Sequence, residues 1–223
     1  MFNEALERLA DYSSDTDAGV VICTPMMALV DYLGLRLTAV TALPLKHGSM
    51  IYGSNDGGST VLDSDPIVSA RMESILSHGL NLQRHLVGNA DVGKWLYGPG
   101  DLECHLGTDG RVYALDFGRL LPPEAPNGLG ERSIFFSFLR KERVLASATP
   151  LNSDAFSNWS AKDPDFLEHN KHVAAATAQI YCDIQSFASE LMTDSEPISP
   201  EYVDARTMAS LWWLTLTQTQ QLG

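Results

Sequence analysis

Short apolar runs separated by glycine-rich turns constrain this chain most. Gly53-Ser-Asn-Asp-Gly-Gly58, Gly98-Pro-Gly-Asp101 and Gly107-Thr-Asp-Gly110 each interrupt stretches of only a few apolar residues. Glycine admits positive φ at little cost, and Asp-Gly between apolar runs is a hairpin signal. Residues 50–52 and 60–62 therefore read as one hairpin, and residues 111–117 as a strand after the Asp109-Gly110 turn. Residues 35–45, rich in Val, Thr and Leu, read as a buried strand. Helices are expected at 2–12, at 25–33 with Thr24 as cap and Pro25 at the first position, and at 65–78 with Asp65 capping and Pro66 following. After Pro122-Pro123 the pattern turns helical: 131–146 with Phe135, Phe136 and Phe138, 164–192, and 200–220 with Trp212-Trp213.

The fold class is α+β, with a small, mostly antiparallel sheet built from hairpins in the N-terminal half and a helical subdomain in the C-terminal half. The expected divisions are an N-terminal helix and loop over 1–24, an α+β core over 25–127, and the helical subdomain over 128–223. The aromatic side chains of that subdomain read as core, or as a docking surface where no further chain covers them.

Charge narrows the function classes. The net formal charge of -13 repels phosphate backbones and anionic bilayers, so duplex DNA is not an expected partner. Three widely spaced cysteines, Cys23, Cys104 and Cys182, form no CxxC pair and indicate a reducing compartment. The most apolar stretch, 19–30, is too short to span a bilayer, which takes about 20 residues. Cytoplasm is the expected location, without membrane insertion.

Several segments, taken together, resemble the clustered-mitochondria (CLU) domain family. They are 25–40, Leu43-Pro-Leu45, Tyr52-Gly-Ser-Asn-Asp-Gly-Gly58, Gly98-Pro-Gly-Asp-Leu-Glu103, His105-Leu-Gly-Thr-Asp-Gly-Arg111, Leu115-Asp-Phe-Gly-Arg119 and Pro150-Leu-Asn-Ser-Asp-Ala-Phe156. The likeness covers about residues 25–175. It implies a CLU-like scaffold or interaction module without catalysis or cofactor, with protein partners, linked to mitochondrial distribution or to messenger RNA and translation. RNA is a partner through this resemblance alone.

Residues 100–119 are also similar to the catalytic and metal-binding segments of kinase-like phosphotransferases. That similarity implies Asp101 as the acceptor-side carboxylate, Glu103 or His105 as the intermediate group, and Asp116 as a magnesium ligand. Lys46 and Arg119 would hold the nucleotide, with ATP and Mg²⁺ as cofactors. A hairpin over 106–115 would bring Asp101 close to Asp116. The alternative is structural: Arg111 or Arg119 pairs with these carboxylates in an ion-pair network. Elsewhere, His169 and His172, with Asp165 and Glu168 nearby, share a helical face as a metal pair or as a solvated polar face. Cys104 and His105, adjacent on a strand, should point to opposite faces.

Overall fold

The Asp109-Gly110 turn closes a hairpin between β8 (Glu103–Leu106) and β9 (Val112–Leu115), with Glu103 opposite Leu115 and Leu106 opposite Val112. In this computed structural model the described residues are 20–89, 91–126 and 131–193. The segments expected as helices at 2–12 and 200–220, and the loop at 13–18, lie outside them. The hairpin sits in a five-stranded sheet. β1 (Ile22–Cys23) runs parallel to β9, and β4 (Met50–Gly53) runs antiparallel to β8. β5 (Leu62–Asp63) closes the order β1-β9-β8-β4-β5. Tyr52 pairs with Asp63 and Gly53 with Leu62, the hairpin expected around 53–58. The fold is α+β.

α1 (Pro66–Glu73) starts as the sequence dictates: the Asp65 carboxylate accepts the N–H groups of Ile67 and Val68. One π-helical turn (Ser74–His78) extends it. The inner face of this helix buries Val68, Met72, Ile75 and Leu76 on the sheet with Tyr52, Leu102, Cys104 and Ala114. A second small hairpin, β6 (His85–Val87) with β7 (Lys94–Leu96), joins the layer.

Three expectations are corrected. Residues 25–33 are not a buried helix. They lead into β2 (Met27–Tyr32), which pairs with β3 (Leu35–Val40) through a two-residue turn at Leu33 and Gly34 with φ of 48° and 80°. Positive φ at both turn residues suits the right-handed twist of a hairpin. The strand expected over 35–45 is present as β3 but exposed along its whole length. Residues 131–146 are not one helix. A 3₁₀ turn (Glu131–Phe135) and α2 (Lys141–Leu145) flank an extended piece. There Leu139 N–H donates to Pro122 O and Glu124 N–H to Ser137 O, a pairing a helix would forbid.

The chain divides into two compact units, residues 1–180 and 181–223. α3 (Phe166–Thr193) is the long helix expected over 164–192. In the first unit its residues His169, Val173, Ala176 and Thr177 are buried. In the second, Tyr181, Ile184 and Phe187 are exposed. No helix among the described residues is long and apolar enough to cross a membrane.

Candidate functional site

Pairing Glu103 with Leu115 sets Asp101 and Asp116 just beyond the open end of the β8–β9 hairpin. Arg119, in the 3₁₀ turn (Phe117–Arg119), takes Asp101 with both arms: Nε donates to Oδ2 and Nη2 to Oδ1, each at 2.8 Å. Its Nη1 lies 3.2 Å from Oδ1 of the fully buried Asp154, an ion-pair contact without hydrogen-bond geometry. The guanidinium is 5.7 Å from the ring centre of Phe135 and 5.6 Å from that of Trp159. Burial works against the cation. The hydrogen bonds to Asp101 and the charge of Asp154 outweigh it and hold Arg119 above the ordinary arginine range.

Asp154, from the 150–156 segment, is the hub of this arrangement. Its Oδ2 accepts Gly100 N–H at 2.7 Å and His85 Nε2–H at 3.0 Å. Its backbone carbonyl accepts the Ser157 and Ser160 hydroxyls. A Cβ at Gly100 would stand 2.4 Å from Trp159 and 2.6 Å from Val87, so only glycine lets the loop close on these partners. One ion-pair cluster thus locks together the 98–103 loop, the end of β9, the start of β6 and the 150–160 loop.

The remaining candidates divide. Glu103 and His105, two apart on β8, share a face, where Glu103 Oε2 meets His105 Nε2 at 2.8 Å and Ser49 Oγ meets Nδ1 at 3.1 Å. Cys104 points the other way, with its Sγ 3.7 Å from Met72 Sδ, and burial pushes its thiol up to about 12. Lys46 is not at the carboxylates. Thr108 N–H donates to Pro44 O and Leu106 N–H to Ser49 O. These bonds fix 44–49 against the turn end of the β8–β9 hairpin, about 13 Å of strand away from its open end.

Asp116 is exposed in a left-handed conformation, φ 54°, and caps nothing with its side chain. Partial burial, then the charges of Asp101 and Glu103, raise its pKa above the ordinary carboxylate value, with Arg119 opposing. The sign follows. A carboxyl whose folded pKa is raised favours the folded state at low pH, and that benefit is lost as pH rises through the folded pKa. Ionised Asp116 therefore costs stability at neutral pH. Asp116→Asn, which also tolerates left-handed φ, should raise the melting temperature at pH 7. The gain should vanish as pH falls to the ordinary carboxylate range and below, which thermal melts across pH will read.

His169 and His172 do not face one another. His169 is buried, with Nδ1 at 3.2 Å from Asn152 Nδ2, and burial first of all lowers its pKa. His172 pairs outward with Glu168 at 3.4 Å. His169 instead meets Asp163 and Asp165, with ligand atoms within 4.8 Å of one another. Both Asp163 oxygens are already used: Oδ1 accepts Asp165 N–H and Oδ2 accepts Leu86 N–H. They fix a turn and the start of β6.

Asp154, His85 and Trp159 were not singled out as site residues by sequence reasoning. Asp154 lies inside the quoted 150–156 segment, so its position was visible, but its partners lie 35 to 69 residues away.

The model of the clustered mitochondria family, CLU, matches residues 3–126, more than half of the chain. The clustered mitochondria protein homolog of Xenopus tropicalis is 38% identical over 103 residues, 43% of this chain and 8% of the relative. The human homolog is 38% identical over the same length and shares. The clustered mitochondria protein of Arabidopsis thaliana is 28% identical over 160 residues, 69% of this chain and 11% of the relative. The chain thus spans about a tenth or less of the length of these relatives. No solved structure matches it. With the family model matching more than half of its length, the chain belongs to the clustered mitochondria (CLU) family.

Proposed function

We propose that the chain is a non-catalytic interaction module of the CLU family that binds protein partners through its β2–β3 hairpin. The observation that carries this reading is the exposure of that hairpin. Met26, Leu29, Tyr32, Leu33, Leu35 and Leu37 are each at least half exposed, and among the described residues β2 and β3 pair with no other strand. An isolated two-stranded ribbon is marginal in water, and unpaired strand edges accept an added strand. The occupant is therefore a partner protein that offers an apolar surface or an extended segment to these edges. Asp101 is engaged by Arg119 on both oxygens, which removes it as a free base and supports the non-catalytic reading.

The relatives are named clustered mitochondria proteins, and from that name we infer a role in mitochondrial distribution. Leu29→Asp combined with Leu37→Asp puts one charge on each face of the ribbon. Both positions are exposed, so the double variant should melt within about 1–2 °C of wild type, as surface changes do. It should lose the proteins that co-purify with the wild-type chain and its effect on mitochondrial distribution in cells. An unchanged partner set and unchanged distribution would refute the reading. Hairpin-dependent partners that disappear on nuclease treatment would move the contact to RNA.

A further inference from the structure

A pocket of about 370 Å³ opens between the outer face of α1 and the β6–β7 hairpin. Its walls combine Asp63, Glu73, Trp95, Tyr97 and Arg84. Ser69 Oγ donates to Asp63 Oδ1, and Tyr97 Oη donates to Glu73 Oε1 at 2.8 Å. Each carboxylate thus has one oxygen engaged and the other turned to no side chain or N–H among the described residues. Tyr52 Oη, which bridges the backbone N–H and carbonyl of Tyr97, fixes the floor. Trp95 leaves 41% of its surface exposed. Arg84 stands without a carboxylate within ion-pair distance among the described residues.

We propose that this pocket takes a single arginine side chain of a partner polypeptide. Two half-used carboxylates against one guanidinium leave the pocket net negative, in a chain already at -13, so a cation is favoured over an anion. An exposed indole beside those carboxylates favours a flat cation that can stack as well as donate. The free oxygens of Glu73 and Asp63 accept its N–H groups, while Trp95 covers its face and Tyr97 packs its methylene stem. The volume holds one long side chain and the adjoining peptide backbone, whose carbonyls Arg84 reaches from the rim. That the ligand is a polypeptide rests on the reading of the chain as an interaction module. The preference for a planar cation rests on the pocket alone.

The test is calorimetric titration of the whole chain with acetyl-Gly-Arg-Gly-amide, and with counterparts carrying citrulline or lysine in place of arginine. The arginine peptide should bind saturably at millimolar or lower concentration. Citrulline, the same shape without charge, should bind at least about tenfold more weakly, and lysine more weakly than arginine. Glu73→Gln, which keeps an acceptor for Tyr97, and Trp95→Leu should each weaken arginine binding about tenfold without changing the melt. Equal binding of the citrulline peptide, indifference to Glu73→Gln, or no heat of binding at 10 mM peptide (roughly the weak limit for a single side chain) would overturn the proposal. The Leu29→Asp, Leu37→Asp chain should bind the peptide as wild type does. Loss of peptide binding alone would remove the pocket and leave the hairpin reading standing.

Discussion

Arg119→Ala should lower the unfolding free energy by about 3–5 kcal/mol, a large part of the roughly 5–15 kcal/mol that holds a domain together. Three losses coincide. The two 2.8 Å bonds to Asp101 go. The contacts with the Phe135 and Trp159 rings go. Asp154, fully buried, keeps its charge with only His85 and Gly100 N–H to answer it. The third dominates, because removing one partner strands a charge out of water. Asp101→Ala should cost less, since Asp101 is nearer solvent and Arg119 would retain Asp154 and both rings. Arg119→Lys keeps the charge but not the fork, and should fall between wild type and alanine. Urea titration of the four proteins checks the order. Equal losses for Asp101→Ala and Arg119→Ala would place the energy in that one pair rather than in the cluster.

Gly53→Ala should be about as damaging, for a different reason. Gly53 has φ of +91°, and a Cβ there would lie 1.9 Å from the Leu102 carbonyl oxygen and 2.9 Å from its carbon. All the nearest atoms are backbone of the neighbouring segment, so no side chain can swing aside. Either the β4–β8 pairing opens or the left-handed residue unwinds its turn. Overpacking and backbone strain each cost about 1–3 kcal/mol. We expect a loss of about 3–5 kcal/mol and a fall in melting temperature of about 10 °C. Gly57→Ala, also at positive φ but with open space around its Cβ, isolates the strain and should cost only about 1–2 kcal/mol. A variant at position 53 no worse than that at 57 would show that the strands do not approach as described.

Local signals were legible where one residue type performs one physical task. Asp65-Pro66 starts α1, and Asp109-Gly110 turns β8 into β9, because a cap and a positive-φ turn act within four residues. Arg119 as a partner for the carboxylates was visible as an alternative through its opposite charge, although it lies 18 residues from Asp101. The β2–β3 hairpin was not legible. Leu33 at positive φ is an uncommon turn residue, and a ribbon apolar on both faces lacks the alternation that marks a half-buried strand. Its stretch Met-Ala-Leu-Val-Asp-Tyr-Leu reads equally as buried helix. The 131–146 segment misled because the bonds of residues 137 and 139 go to 124 and 122, a choice made by tertiary pairing. Asp154 and His85 meet across 69 residues, and nothing local announces such a pair.

At the open end of the β8–β9 hairpin Asp101 is committed to the Arg119–Asp154 cluster that holds the fold together, whereas ionised Asp116 costs stability, which leaves recognition to the surface. Thermal melts of wild type and Asp116→Asn at pH 7, with and without millimolar ATP and Mg²⁺, test it most directly. The account predicts that Asp116→Asn melts higher than wild type and that nucleotide with metal shifts neither. Stabilisation of wild type by ATP and Mg²⁺ that disappears in Asp116→Asn would contradict it, and would make Asp116 the ligand of a phosphate-bound metal.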